Sequence, residues 1–458
     1  MVQPPTPGSL VKSDVLVIGG GLSGLAAAVR LVQSGASVTL VEASGKLGGR
    51  AYSYVDKNTG DTIDNGQHIL LGCYHSTLEF LRTIQTDELL RSQYRTHLNF
   101  FHPHKGFYRI RLNSIRSPVG LGLGLVQFRS FSLAERLRLL RVIKELKRWD
   151  DTTKKRLASL TIEQWLNGLG QSKEVQRSFW NPLAVSVMNE LPQRACASLY
   201  ANALRLALLG TAADSAILIP KVSLKELYVD RAADFIKRKG GRVFLKSKVG
   251  RILIKADRVV GVELRNRKRL GAFSYVSAVP HQSLLRILPK TLQQVSPYDA
   301  LTQFHSSPIV SIHLWFEKPF TDRAFVGLID KRVQWVFNKR KIGGTPEGRS
   351  FYLSAVISGA HDFIELSRND LIWLALQDLE AVFPESKRSR LLHAHVIKEK
   401  EATISATPEV ENLRPSVDTP LRNLFLVGDW VDTGLPATIE GAVASGFQAA
   451  EYALRSKT

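Results

Sequence analysis

The chain has 458 residues, 44% of them apolar and 22% charged, a globular composition long enough for two or three domains. Its two cysteines, Cys73 and Cys196, exclude a disulfide framework and a thiolate zinc site, and fit a reducing compartment. The formal charge of +21 reads either as a generally basic surface or as a patch for an anionic counterpart; with neither a zinc-finger pattern nor an RNP-like aromatic string, a membrane surface is the expected counterpart and nucleic acid is not.

Residues 1–12, with Pro4, Pro5 and Pro7, lack the apolar core of a secretory signal and read as a flexible tail. No apolar run is long enough to span a bilayer, so the protein is expected in solution or on a membrane surface. Residues 15–18 read as a strand buried on both faces. Gly19, Gly21 and Gly24 follow in G-x-G-x-x-G spacing, and residues 25–32 as a helix. The first glycine permits the tight turn, the second the approach of a pyrophosphate, the third close helix–strand packing. A second strand, 37–41, ends at Glu42, where an acid meets a ribose hydroxyl. Together these predict a dinucleotide site.

Residues 51–54 read as a strand, followed by the string Ile63-Asp64-Asn65-Gly66-Gln67-His68. Helix is expected from 77 and a strand over 107–112. The glycine–leucine run 117–126 suits neither helix nor strand and reads as an apolar loop that is either buried or dips into lipid. Ser132-Leu133-Ala134-Glu135 is a capping box, and its helix places Leu133, Leu137, Leu140 and Ile143 on one stripe beside many arginines and lysines. Such a helix packs on a core or lies on anionic membrane.

A second capping box at Thr161 and a third at Ser223 start further helices, the latter running to Lys239, and 199–209 is an apolar helix. Strands follow at 242–245, 249–254, 259–264 and 273–279, then at 309–316, 325–329, 333–338 and 351–357. A helix over 369–383 and a strand over 394–404 precede the buried strand 423–427. That strand runs into Gly428-Asp429-Trp430, and a last helix is expected over 437–454, with Pro436 in its first turn. The pairs His102/His104 and His393/His395 lack an acidic or cysteine partner at ligand spacing, so no metal is expected.

Leu47-Gly48-Gly49-Arg50, just past Glu42, resembles the flavoprotein superfamily of amine oxidases and phytoene-type desaturases, which implies FAD rather than NAD. The strings around Asp64–His68, Trp180-Asn181-Pro182-Leu183, His313-Leu314-Trp315-Phe316 and Gly434-Leu435-Pro436-Ala437-Thr438-Ile439-Glu440 narrow the resemblance. They are similar to the squalene-associated branch of that superfamily, the hydroxysqualene dehydroxylases of hopanoid-making bacteria. The resemblance covers nearly the whole chain. It implies an α/β fold, with a discontinuous Rossmann-like FAD-binding domain (13–76, 220–300 and 415–458) and an inserted α+β substrate domain (77–219 and 301–414) with candidate membrane-facing helices.

It also implies FAD contacts from Gly19, Gly21, Ser23, Gly24, Glu42, Gly48, Gly49, Arg50, Gly66, Gln67, Val249, Gly428, Asp429, Thr438 and Ile439. Arg50 is expected to face the FAD phosphate, and Asp429 the ribityl or pyrophosphate region. The implied reaction is reduction of hydroxysqualene to squalene, in which an acid assists loss of the hydroxyl and reduced flavin supplies hydride. His68, titratable near neutrality, and Asp64 are the catalytic candidates, each with a structural alternative, and Glu440 is equally open. The implied setting is cytoplasmic and peripheral to an anionic membrane, with an upstream squalene-pathway enzyme as a candidate partner and the electron donor unknown. A polyene desaturase or isomerase would use the same cofactor site. An amine oxidase fits less well, because Thr438 stands where that family carries an aromatic residue.

Overall fold

The structure, a computed structural model, describes residues 11–93, 97–111, 131–211, 213–342 and 350–456. The glycine–leucine run and residues 1–10 of the tail lie outside them.

Val15 to Ile18 carry no polar side chain, and the strand Val11–Ile18 lies at the centre of a parallel sheet. It pairs with Val38–Val41 on one side and Arg269–Ser277 on the other. Arg242–Phe244 extends the first side and Leu424–Leu426 the second, all in parallel. Arg269–Ser277 forks there: its last residues pair with Leu424–Leu426, while its first begin an antiparallel meander through Arg258–Leu264 and Val249–Lys255. Asn423 closes the fork. Its Nδ2 donates to the carbonyls of Val259 (3.0 Å) and Phe273 (2.8 Å), and its Oδ1 accepts from the Val259 amide (2.8 Å). Both ends of the amide are thus satisfied, which makes its burial tolerable.

The helix Leu22–Gln33 packs against the last helix, Ile439–Arg455, through small residues. A Cβ added at Gly446 would lie 2.4 Å from the Ser23 carbonyl oxygen and 3.1 Å from the Ala26 methyl.

A second sheet runs in the order Leu391–Ile404, Ser306–Phe316, Phe351–Ser358, Trp335–Asn338, Phe325–Leu328, His97–His102, Gly106–Arg111. Every neighbouring pair in it is antiparallel except Phe325–Leu328 with His97–His102. The helix Arg368–Val382 covers one face through Leu371, Ala375 and Leu379. A helical layer that includes Leu133–Lys147, Asn181–Met188 and Ala197–Leu209 packs around Trp165, Trp180 and Tyr200. The architecture is α/β, with a sheet of dinucleotide-binding topology drawn from separated segments and an intervening α+β region.

Three local expectations change. Leu133–Lys147 buries Leu139, Val142, Ile143 and Leu146, whereas Leu133 and Leu137 face outward, 70% and 56% exposed. The amphipathic helix is real, but the helical layer takes a face rotated from the expected one. The Ser223 cap forms, with the Glu226 amide donating to Oγ at 3.3 Å, yet Lys225–Asp230 winds as a π-helix before Arg231–Arg238 continues as α. Pro436 precedes the last helix instead of entering it: Thr438 is the N-cap, its Oγ1 accepting from the Gly441 amide at 3.3 Å.

Candidate active site

The glycine turn is built by contact. Gly19 has φ +107°, and a Cβ there would lie 2.6 Å from the Ala278 carbonyl oxygen; a Cβ at Gly24 would lie 2.1 Å from the Gly19 carbonyl oxygen. At Gly21 a Cβ would meet nothing within 4 Å, since that position opens on a large cavity. Ser23 lines the same space, and Gly24 packs behind it. Glu42 also borders the cavity, its carboxylate accepting from the amides of Gly20 and Ser44, both at 2.7 Å. Each carboxylate oxygen keeps a lone pair for a ribose hydroxyl. Gly48 and Gly49 lie across from Gly21, with φ of +101° and +57°, and the Gly48 amide donates to the Gly20 carbonyl at 2.8 Å. Val249, at the start of the meander, borders the Glu42 end.

Arg50 donates to Asp429 Oδ1 (2.7 Å) and to the Ala402 carbonyl (2.6 Å), joining the two sheets. Burial opposes its charge, but Asp429, Glu399 and Glu401 outweigh that and raise its pKa. Gly428, Asp429, Thr438 and Ile439 border the same space at the foot of the last helix. An open glycine, an acid at the second strand's end, an arginine and a helix N-terminus lie along one trough. That donor set fits a dinucleotide flavin.

The string 63–68 divides. Gly66, Gln67 and His68 border the cavity; Asp64 does not. Asp64 accepts from Ser53 Oγ (2.7 Å), the Leu224 amide (3.1 Å) and Lys339 Nζ (3.1 Å), so it is a structural anchor and not an acid beside substrate. Lys339 is itself buried and also donates to Gln67 Oε1 at 2.7 Å. His68 Nδ1 lies 2.9 Å from the Gly66 carbonyl, which makes Nδ1–H the donor and leaves Nε2 to titrate. Burial lowers the His68 pKa, Lys339 adds to this, and the Gly66 carbonyl and Asp64 act in the opposite direction. Glu440 is resolved too. Its carboxylate accepts from the amides of Ser76 (2.9 Å) and Thr77 (2.8 Å) and from Thr77 Oγ1 (2.7 Å), capping the helix His75–Thr83.

Beyond His68 the cavity, about 830 Å³ in all, turns apolar. Phe179, Leu183, Leu204 and Leu208 from the helices face Ile309, Phe325, Trp335, Phe337 and Val356 from the second sheet. Sequence reasoning missed His281, which borders the flavin end. It packs edge-on to Trp430, and burial pushes its pKa down to about 4. Lys339 was missed as well, because nothing local marks a lysine in a strand-end turn as the partner of Asp64. The histidine pairs lie apart from the cavity: His395 Nε2 is 2.7 Å from Tyr54 OH, and the His104 amide donates to His102 Nδ1 at 3.1 Å.

The profile described as flavin containing amine oxidoreductase matches residues 22–454. Hydroxysqualene dehydroxylase of Rhodopseudomonas palustris is 30% identical over 97% of this chain and 99% of its own length. The 15-cis-phytoene desaturase of an Oncidium hybrid is 25% identical over 94% of this chain and 76% of its own length. Among solved structures, an oxidoreductase from Methanosarcina mazei superposes with a TM-score of 0.74 at 19% identity, covering 96% of this chain and 100% of that one. With its glycine cradle, its Arg50–Asp429 pair and a profile match over almost its full length, the chain belongs to the flavin containing amine oxidoreductase family, in the branch of the hydroxysqualene dehydroxylases.

Proposed function

We propose that this FAD-dependent oxidoreductase removes the hydroxyl of hydroxysqualene to give squalene. The observation that carries the reading is the continuity of the flavin trough with a chamber walled by aliphatic and aromatic side chains, a shape and polarity suited to a long hydrocarbon. Reduced FAD, when bound, supplies hydride. Gly21, Glu42, Arg50, Val249, Asp429 and the Thr438–Ile439 turn would hold it, and the apolar walls would exclude water from the allylic cation left by loss of the hydroxyl. Hydroxide leaves poorly, so the departing oxygen needs a proton and leaves as water; His68 Nε2 is the atom in the chamber best placed to carry one.

The weaker similarity to a phytoene desaturase supports the oxidative alternative less well. The two readings part on one assay. Dithionite-reduced holoprotein is expected to convert hydroxysqualene to squalene, and oxidised holoprotein to leave phytoene unchanged; the converse pattern would replace the dehydroxylase by the desaturase.

A membrane role is supported by the stripe Leu133, Leu137, Arg141, Lys144 and Arg148, which is exposed along Leu133–Lys147 and its C-cap. Two leucines among cations suit an anionic lipid surface, where such a substrate dissolves. Among the described residues no helix is long and apolar enough to cross a membrane.

A further inference from the structure

Two buried polar atoms among the described residues that border the cavity have no hydrogen-bonding partner: His281 Nε2 and Ser311 Oγ. His281 lies at the flavin end, beside Trp430 and close to Asp429. Ser311 does not. It follows Ile309 by two residues along the strand Ser306–Phe316, with Val356 directly opposite in register. Its neighbours on that wall are Ile309 and Val356, both bordering the apolar chamber.

A buried hydroxyl with no partner is destabilising, and an alanine or valine would fill the same wall without that cost. The polar character extends one step along the same face. His313 follows Ser311 by two residues and stands opposite Ser354 in register, and His313 Nε2 and Ser354 Oγ are likewise buried and unpartnered. Cross-strand partners on one face lie about 5 Å apart. Neither His313 nor Ser354 borders the cavity; on the cavity wall itself Ser358, opposite Ile309 in register, is the polar residue of the strand Phe351–Ser358 nearest in register to Ser311.

We propose that Ser311 is the residue that recognises the hydroxyl of the substrate, its Oγ exchanging a hydrogen bond with the one polar group on a long hydrocarbon. The assignment rests on the function proposed above for its choice of ligand. It makes Ser311 the determinant that separates the alcohol from the hydrocarbon product: hydroxysqualene gains the hydrogen bond, and squalene leaves Oγ unpaired and is released more easily.

The test is equilibrium binding of hydroxysqualene and of squalene to the oxidised holoprotein, followed through the change in intrinsic tryptophan fluorescence, since Trp335 and Trp430 border the cavity. Wild type is expected to prefer the alcohol. Ser311→Ala is expected to lose on the order of tenfold in affinity for hydroxysqualene and none for squalene, and Ser311→Thr, which keeps a hydroxyl, to retain the preference. Equal ratios in wild type and Ser311→Ala would overturn the proposal, as would a wild type that binds the two lipids alike. Loss of flavin from a folded Ser311→Ala protein would overturn it too, since the hydroxyl would then belong to the cofactor. A wild type that prefers the alcohol but never converts it would refute the proposed reaction and leave the recognition role standing.

Discussion

At Gly21 the absence of a side chain matters for what is bound, whereas at Gly19 and Gly24 it matters for the fold. A Cβ at either of the latter would meet backbone oxygen, while at Gly21 it would project into the cavity. Gly21→Val is therefore expected to fold and to be purified with little flavin, read as the ratio of flavin to protein absorbance; full flavin content would contradict the assigned pyrophosphate path. His68 makes a prediction with a sign. Its pKa is lowered by burial, so the imidazolium that donates a proton becomes more populated as pH falls. Turnover should rise as the pH drops from about 8 toward about 5, and His68→Gln should be slower by roughly 10²–10⁴-fold with that rise gone. An unchanged pH profile in the variant would move the proton donor elsewhere. The glycine turn and Glu42 at the second strand's end were legible as local geometry, because both depend on local spacing. Lys339 was not, because its link to Asp64 spans 275 residues and exists only once the second sheet is laid on the flavin loop.

Helix ends were readable at the level of elements, and helix faces were not. The boxes at Ser132 and Thr161 form as their spacing demands, each with reciprocal side-chain and backbone hydrogen bonds. Periodicity along Leu133–Lys147 offers two overlapping apolar stripes, and contact with Ala197–Leu209 selects the one containing Leu139 and Val142. The stripe left outside carries the membrane prediction. Replacing Arg141, Lys144 and Arg148 by glutamine is expected to weaken binding to anionic vesicles and to flatten its salt dependence, measured by co-sedimentation. Unchanged binding would remove this helix from the membrane role. The crossing of Leu22–Gln33 with Ile439–Arg455 depends on Gly446. Gly446→Ala should cost about 1–3 kcal/mol, seen as a lower midpoint in thermal or urea unfolding, because a methyl must push against the Ser23 carbonyl. A midpoint equal to wild type would show that the helices part without penalty.

Across the whole molecule, the site lies where two sheets built from interleaved segments meet. Arg50 bridges them by holding Asp429 with one nitrogen and the Ala402 carbonyl with the other. The first sheet supplies the flavin trough and the second a wall of the apolar chamber, so cofactor and hydrocarbon are brought together only in the assembled fold. The strands at 15–18, 37–41 and 423–427 were expected as buried runs, and their order in the sheet was not. The chamber was not, since its wall alternates polar and apolar residues whose facing is settled by register between strands distant in sequence. On the dehydroxylase reading the trough would hold a reduced flavin, the source of hydride, against a chamber that would hold the allylic alcohol. The most direct test of that reading is an anaerobic single turnover, in which hydroxysqualene is mixed with the dithionite-reduced holoprotein and the flavin spectrum and extracted lipid are followed together. Flavin reoxidation in step with one equivalent of squalene is the predicted result; flavin that stays reduced while hydroxysqualene is recovered intact would contradict the account.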